Sequence, residues 1–406
     1  MTDISQTADI GPDRAPRDRE VRRVDLDWVR IAAFGLLIFY HVGMLYVSWG
    51  FHIKSVHRIT ALEPLMLVLN PWRLALLFLV SGVATRFMLQ KYRLPPLLRA
   101  RSVRLLIPLV FGMLAIVPVQ SYDQIVEALG YPAGFVDFYL RHYLAFGKEF
   151  CPNPCIVLPT WNHLWFVVYL WIYTMAFGAA LLALPGLLGW IERGLAIAFA
   201  GVRIVVLPAL LFAAYRVFLY PAFPMTHALF GDWYDHAQYA TVFLLGFGLA
   251  RAETVWDSIE RQRWLALALA TAVFASFLVL ISMGRGIPKV YVGVAYGCYQ
   301  WFCIVAVLGF ARRWLTADSA ARRYLTDAIF PYYIVHQTAI IMIAHALHGY
   351  DLPAWLEASV VIAGTAASCA VTYEVVRRVN ILRPLFGLKM MTSRPALLQA
   401  RSQAAE

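Results

Sequence analysis

An arginine and a histidine lie eleven residues apart inside the first apolar segment of the chain, at Arg30 and His41. An α-helix of about 3.6 residues per turn brings them back to one face after about three turns. At about 1.5 Å per residue they are about 16 Å apart along the helix axis. Arg30 is then expected at one membrane surface and His41 near the other, where an imidazole can act as a general base. The alternative is that His41 is hydrogen-bonded to a neighbouring helix and has only a structural role.

A second polar cluster follows the next apolar segment. Ser81 and Gly82 form a small pair that permits close helix approach. The chain then enters a basic loop with Arg99, Arg101 and Arg104. Guanidinium groups at a membrane surface can hold phosphates, although one basic loop read alone is better explained as a membrane anchor.

Two more histidines interrupt apolar sequence. His163 lies two residues before Trp165 at the outer end of the fourth apolar run, where an aromatic belt explains the tryptophan but not the histidine. His336 lies about mid-membrane in the ninth run, with helix–helix hydrogen bonding as the competing explanation. Ionisable residues at such depth indicate a functional site.

The composition places most of the chain in a membrane. Of its 406 residues, 61% are apolar and 15% charged, with a mean hydropathy of +0.64. Helices satisfy their own backbone hydrogen bonds in lipid, so we predict an all-α, polytopic bundle of about ten transmembrane helices. The apolar runs cover residues 28–48, 64–88, 103–120, 163–185, 203–221, 237–250, 264–283, 289–310, 328–347 and 355–376.

Lysine and arginine are unevenly distributed between the loops. With ten crossings, 26 of the 35 basic residues fall on one side and six on the other. The basic side is the cytoplasmic one, so both termini are expected in the cytoplasm. The formal net charge of +11 is then an orientation signal. Nucleic-acid binding would need the basic residues on one soluble face, which the pattern does not indicate.

Three regions are expected along the chain. Residues 1–23 read as a disordered cytoplasmic tail, residues 24–380 as one membrane domain and residues 381–406 as a second cytoplasmic tail. Cys151 and Cys155 lie on the non-cytoplasmic side, where a disulfide could persist, although two intervening prolines could hold the thiols apart. A zinc site would need two further ligands that are missing nearby, so no metal is predicted.

Taken together, the polar clusters resemble integral-membrane acyltransferase family 3. The likeness consists of the LDWVR opening at 26–30 with ten residues between its arginine and the histidine, Ser81-Gly82, RSVRLLIP at 101–108, HLWF at 163–166 and YIVH at 333–336. Within the family, the DLDWVRIAAFGLLIFYHVGM opening and the late YYIVHQ look most like the glucans biosynthesis protein C branch, which is associated with succinyl transfer to periplasmic glucans. Trp28 and Ile31 depart from the leucine and glycine that commonly flank the arginine.

The resemblance implies an enzyme of the bacterial inner membrane that passes an acyl group, succinyl or acetyl, from cytoplasmic acyl-coenzyme A to a periplasmic or cell-surface glycan. Acyl-coenzyme A is then a co-substrate, and no permanently bound cofactor is expected. Its phosphates would bind the basic loop, with Ser81 nearby and Arg30 assisting catalysis.

The acceptor side follows the same implication. His41 would accept the proton of the acceptor hydroxyl, or carry the acyl group transiently, and the sequence leaves both routes open. His163, Trp165 and His336 are the candidates for holding the acceptor. The oligomeric state is left open.

A secondary transporter or flippase for a glycan or small anionic metabolite is the alternative reading. Proton-coupled transporters usually place carboxylates inside the bundle, whereas nearly every Asp and Glu here lies in a loop or near the end of a run. Facilitated export without such a relay stays open. The pairing of Arg30 with His41 disfavours a non-catalytic scaffold.

Overall fold

The computed structural model describes residues 23–151, 155–284 and 286–391. Within these ranges the chain is helical and contains no β-strand, which confirms the predicted all-α class. The first eight helices are α1 (Val24–Gly43), α2 (Glu63–Leu69), α3 (Arg73–Lys91), α4 (Leu94–Phe111), α5 (Val117–Leu129), α6 (Phe135–Phe138), α7 (Trp165–Ala183) and α8 (Leu187–Ala198). The others are α9 (Arg203–Ala214), α10 (Trp233–Leu249), α11 (Glu253–Arg261), α12 (Arg263–Ser282), α13 (Lys289–Trp314), α14 (Ala320–Leu347), α15 (Ala354–Arg378) and α16 (Leu382–Leu385).

Eight helical segments in the described ranges are long and apolar enough to cross a membrane. They coincide with eight of the ten predicted runs. The run at 203–221 belongs to a bent pair, in which α8 meets the following helix at 105°, and this pair is a ninth span if it crosses as one unit. The run at 237–250 lies in α10, whose 17 residues are a few short of the length of about 20 that a perpendicular crossing needs.

Small residues set the tightest helix contact. A Cβ atom built on Gly82 would lie 2.1 Å from the carbonyl oxygen of Phe243, and one built on Gly246 would lie 2.0 Å from that of Leu79. The backbones of α3 and α10 therefore touch. This is the close approach that the Ser81-Gly82 pair predicts, because side chains at these positions would force the helices apart.

The third span changes helix type midway. After α4, residues Gly112–Ile116 form a π turn, and α5 continues to Leu129. Pro118 follows this turn and has no N–H group, and the carbonyl oxygen of Leu114, four residues earlier, accepts from the hydroxyl of Tyr139 at 3.0 Å instead. The continuous segment carries Arg101 near one end and Gln120 near the other.

The bundle has a basic end and a far end. At the basic end, α1 and α14 begin and α3 and α15 finish; the opposite end is the far end. The basic end corresponds to the side predicted to be cytoplasmic. Residues 1–22 and 392–406, most of the two predicted tails, lie outside the described residues.

The two loop cysteines are bonded to each other. Cys151 and Cys155 form a disulfide, so the bonded alternative is confirmed and the splayed one is wrong. The thiols of Cys298, Cys303 and Cys369 are free, and Cys369 is buried.

Candidate active site

Two histidines from opposite parts of the sequence meet inside the bundle. His41 lies near the end of α1 and His336 in the middle of α14, and the Nδ1 atom of His41 is 3.2 Å from the Nε2 atom of His336. Their rings are nearly parallel, with centroids 5.2 Å apart. Helix periodicity brings each residue to an inner face, and the packing of α1 against α14 brings the two together.

The hydrogen-bond partners select the tautomer of each neutral ring. The Nδ1 atom of His336 lies 2.8 Å from the carbonyl oxygen of Tyr333, which can only accept, so Nδ1 carries the proton. The Nε2 atom of a neutral His336 then accepts, and the Nδ1–H group of His41 donates to it. The Nε2 atom of His41 therefore keeps its lone pair, and within the described ranges no hydrogen-bond partner engages it. That is the atom a general base needs.

A third histidine joins this pair from the start of α7. The ring of His163 stands perpendicular to that of His336, with centroids 5.2 Å apart. Its Nε2–H group donates to the carbonyl oxygen of Ile334 at 3.1 Å, while Nδ1 accepts from the side-chain amide of Gln120 at 3.3 Å. The hydroxyl of Tyr333 donates to the carbonyl of His163 in return. Both ring nitrogens of His163 are therefore occupied by structural partners. We call His41, His336 and His163 the histidine centre.

Buried amides surround the histidine centre towards the far end. Gln120 accepts from the amides of Asn162 and Gln337, each at 3.1 Å, and donates to the hydroxyl of Thr338 at 2.6 Å. The Nε2 atom of His52 accepts from Gln337 at 2.9 Å. Such a network is stable when every member is paired.

His52 lies in the loop between α1 and α2, and its pairing is complete as well. Its Nδ1–H group donates to the side-chain oxygen of Gln124 at 2.7 Å. Burial lowers the pKa of this histidine below its usual range, and the hydrogen bond to Gln124 opposes that shift only in part. His52 is therefore neutral at pH 7 and completes the network as an acceptor.

His52 and Gln120 were not predicted from the sequence, and Gln337 was noted only as the neighbour of His336. The available signal was the occurrence of amide side chains within apolar runs, at 103–120 and directly after His336. A polar residue in a span is expensive to bury without a partner, so such amides indicate a buried network.

An inner cavity of about 160 Å³ lies between the basic end and the histidine centre. Four residues proposed from the sequence line it together: Arg30, Ser81, Arg101 and Arg104. The remaining walls are largely apolar. The volume is well below the 300–1,000 Å³ typical of sites for drug-sized ligands, so it suits a narrow chain rather than a whole nucleotide.

The inner cavity ends against two aromatic rings. Phe34 and Tyr333 both line it, and the Phe34 ring lies 5.4 Å from that of His336. Arg30, Phe34 and His41 follow one stripe of α1, as the spacing of eleven residues predicts. His41 itself does not line the cavity, and the two lining rings contact His336, the hydrogen-bond partner of His41.

The arginines of the inner cavity have unused donors. Arg101 is buried and donates to the hydroxyl of Thr85 at 2.6 Å, while its Nε atom has no partner. Arg30 and Arg104 form no side-chain hydrogen bond or ion pair within the described part of the chain. Guanidinium groups that converge on a cavity with free N–H groups make an anion site, because each can give charge-assisted hydrogen bonds.

Two residues proposed from the sequence lie elsewhere. Arg99 is exposed on α4 and does not line the inner cavity. Trp165 is buried in a separate aromatic cluster, where it stacks on His227 with ring centroids 4.1 Å apart and lies 5.4 Å from the ring of Tyr239. The short 3₁₀ turn Asn162–Leu164 ends between His163 and Trp165, so the two side chains leave on different faces.

A protein-family model described as an acyltransferase domain matches residues 23–374. This range contains the histidine centre and every residue that lines the inner cavity. No curated protein and no solved structure matches the chain.

Proposed function

The chain belongs to this acyltransferase family, and from that premise we propose that it moves an acyl group from acyl-coenzyme A to a hydroxyl of an extracytoplasmic glycan. The family membership and the apolar helices make it a multi-pass membrane acyltransferase. The donor, the acceptor, the bacterial inner membrane as its location and the assignment of His41 as the base are our proposal.

The observation that carries the proposal is the free lone pair on Nε2 of His41. In the proposed reaction this atom takes the proton of the acceptor hydroxyl while the hydroxyl oxygen attacks the thioester carbonyl. The carbon–sulfur bond then breaks, and the proton on His41 passes to the departing thiolate to give the acyl ester and free coenzyme A. While His41 holds that proton, its Nδ1–H bond to His336 becomes charge-assisted and stronger.

The arginines of the inner cavity support an anionic donor. Arg30, Arg101 and Arg104 surround a narrow space that leads from the basic end towards His336. A thioester arm that enters this space must pass Phe34 and Tyr333 before its carbonyl reaches His41. Arg30 lies on the same face of α1 as His41, so it fixes the donor along the line of approach.

The far end supports a hydroxyl-bearing acceptor. The groups of Gln120, Asn162 and His163 pair with one another and with their neighbours, so they hold the histidine centre in place rather than bind the sugar, and in our proposal the acceptor hydroxyl approaches His41 from this side. The likeness of the opening segment to the glucan branch favours a succinyl group as the acyl group that is transferred and a glucan as its acceptor.

Thiol release tests the proposal directly. Purified protein in lipid nanodiscs is given succinyl-coenzyme A or acetyl-coenzyme A with a soluble glucan, and free coenzyme A thiol is measured against time. We expect acceptor-dependent release that falls at least about 100-fold in His41→Ala, because only the general base is lost. His345→Ala, at the far end of the same helix as His336, is the matched control and should retain activity, because His345 pairs with Glu127 outside the histidine centre.

Two outcomes would contradict the proposal. If His41→Ala retains a third of the wild-type rate, His41 is not the base. If the protein moves the donor across a membrane without releasing thiol, the transporter reading is correct.

A further inference from the structure

A second cavity of about 500 Å³ opens at the basic end, beside the first. We call it the outer cavity. Nine residues line it: Arg104, Asp327, Tyr373, Arg377, Arg378, Arg383, Gly387, Leu388 and Lys389. Five of the nine are basic, and four of these five lie beyond residue 374, where the family match ends. The outer cavity is therefore built mainly by residues that follow the matched range.

The basic residues are held by a closed loop at residues 377–391. The guanidinium of Arg383 donates to the carbonyl oxygen of Lys389 at 2.6 Å and to that of Arg377 at 2.7 Å. Asn380 pairs with the backbone of Met391 in both directions, at 3.3 Å and 2.7 Å. These bonds tie the two ends of the loop together, so Arg377 and Lys389 face one space.

The outer cavity adjoins the inner one. Arg104 lines both. Gly387 has a φ of +72°, and a Cβ atom there would lie 2.2 Å from the ring of Phe330, which lines the inner cavity. The loop backbone thus packs directly on the inner wall, as only glycine allows at this φ and this distance. Arg104 therefore belongs to the walls of both cavities, and a ligand that spans the two would contact it.

The charge of the outer cavity selects an anion. Glu374 pairs with Arg377 at 3.0 Å and with Arg378 at 2.7 Å, and the only lining carboxylate is Asp327. Lys389 and Arg104 have no hydrogen-bond or ion-pair partner among the described side chains. The balance is strongly positive in a volume within the 300–1,000 Å³ range of ligand sites.

The main alternative is an electrostatic anchor for anionic lipid headgroups, since basic residues cluster at cytoplasmic helix ends in membrane proteins. An anchor needs neither concavity nor a shared wall with a second cavity. Both features are present, so the geometry favours a ligand that uses the two cavities at once.

We propose that the outer cavity binds the phosphate groups of the acyl-coenzyme A donor, while the arm of the donor that carries the acyl thioester occupies the inner cavity. This inference rests on the proposed function and adds the residues that recognise the donor, chiefly Arg377 and Lys389 with Arg104 at the junction. The phosphates then lie far from the reacting carbonyl. Their contacts persist from the ground state to the transition state, so losing one raises the KM for the donor and leaves kcat unchanged.

Two donors that differ only in the nucleotide test the assignment. Initial rates are measured with acyl-coenzyme A and with the corresponding acyl-pantetheine, for wild type, Arg377→Gln and Lys389→Gln. Each variant is expected to raise the KM for acyl-coenzyme A about tenfold and to leave the KM for acyl-pantetheine unchanged. Arg313→Gln is the matched control, because Arg313 is an exposed arginine at the same end that lines neither cavity. Equal effects of a variant on both donors would overturn the assignment.

Direct measurement of coenzyme A binding distinguishes a wrong assignment of the outer cavity from a wrong choice of donor. Isothermal titration of coenzyme A is performed in nanodiscs of phosphatidylcholine and again with phosphatidylglycerol added. If wild type binds coenzyme A and Lys389→Gln binds it about tenfold more weakly in both lipids, the proposal stands. If all variants bind it equally and differ only in retention of phosphatidylglycerol, the outer cavity is a lipid site and the proposal fails. If wild type binds no coenzyme A, the proposed donor itself is wrong.

Discussion

The histidine centre and the arginine-lined cavities differ in whether their polar side chains have hydrogen-bond partners. Around His163, Gln120 and Gln337, each side-chain amide or imidazole has a partner within hydrogen-bond distance. In the inner cavity, Arg30 and Arg104 have none among the described residues, and one nitrogen of Arg101 is buried without a partner. A fully paired network fixes geometry, whereas unpaired guanidinium groups beside a cavity fit a place for a ligand. The one free lone pair of the histidine centre is on His41, and His336 links that residue to Phe34 in the wall of the inner cavity.

The largest effect is expected at the hydrogen bond between the stacked rings of His41 and His336. His336→Ala removes the acceptor of the His41 Nδ1–H group, so the tautomer with a free Nε2 is no longer selected. We expect kcat to fall about 100-fold with little change in either KM, because His336 acts through His41. His336→Asn offers an amide oxygen in place of the imidazole and should recover part of the rate. A raised acceptor KM with normal kcat would instead make His336 an acceptor-binding residue, the role expected from the sequence.

Breaking the paired network should cost stability. Gln120→Leu removes one hydrogen-bond partner each from Asn162, His163 and Gln337, and the buried Nδ1 atom of His163 is left without one, which we expect to lower the free energy of unfolding by about 2 kcal/mol. The thermal unfolding midpoint of the detergent-solubilised protein, followed by tryptophan fluorescence, should fall accordingly. Gln90→Leu, at an exposed position of α3, is the matched control and should leave the midpoint unchanged. An equal midpoint for Gln120→Leu and wild type would show that the network is not stabilising.

The unpaired arginines predict a smaller, purely kinetic effect. Arg104→Gln should raise the KM for acyl-coenzyme A about tenfold, because this residue lines both cavities. Arg99→Gln should change it much less, because Arg99 is exposed and lines neither. Steady-state rates at varied donor concentration decide between them. A larger effect at Arg99 would favour the grouping of both residues in one phosphate site that the sequence indicates.

The smallest expected effect is a pH dependence of stability from His52. Burial lowers its pKa in the folded state below the value of about 6.5 found in unfolded chains. The unfolded state then binds more protons below about pH 6.5, so the stability contributed by the neutral ring is lost as the pH falls through that value. Between about pH 7.5 and 5.5, the unfolding midpoint of wild type should decrease more than that of His52→Gln. Identical pH profiles for the two proteins would contradict this assignment.

Within one helix, the sequence was a reliable guide. The spacing of Arg30 and His41 predicted one face of α1, and the Ser81-Gly82 pair predicted a close helix contact. Both depend on local geometry, which the helical repeat of about 3.6 residues fixes. Eight of the ten apolar runs match helices long enough to span a membrane for the same reason.

Contacts between distant segments were less predictable. His41 and His336 are 295 residues apart in the chain, and no periodicity says which helices are neighbours. The separation of Trp165 from His163 depends on a turn type that the residues themselves do not specify. Residues 381–391 of the loop were expected to begin a cytoplasmic tail, because the basic residues here resemble an ordinary membrane anchor. The hydrogen bonds that Arg383 donates to the backbone show the closed loop instead.

The central claim is that donor and acceptor reach His41 from opposite ends of the bundle. Proteoliposomes of uniform orientation test it, with succinyl-coenzyme A supplied only on the side of the basic end and a glucan acceptor sealed on the other side. Mass spectrometry of the sealed glucan should then show acylated product, while coenzyme A stays on the side where it was added. The phosphates of the donor are too costly to desolvate for a full crossing, whereas its thioester needs to advance only from Arg30 to His41, about three helical turns. Product that forms only when donor and acceptor share one compartment would contradict this arrangement.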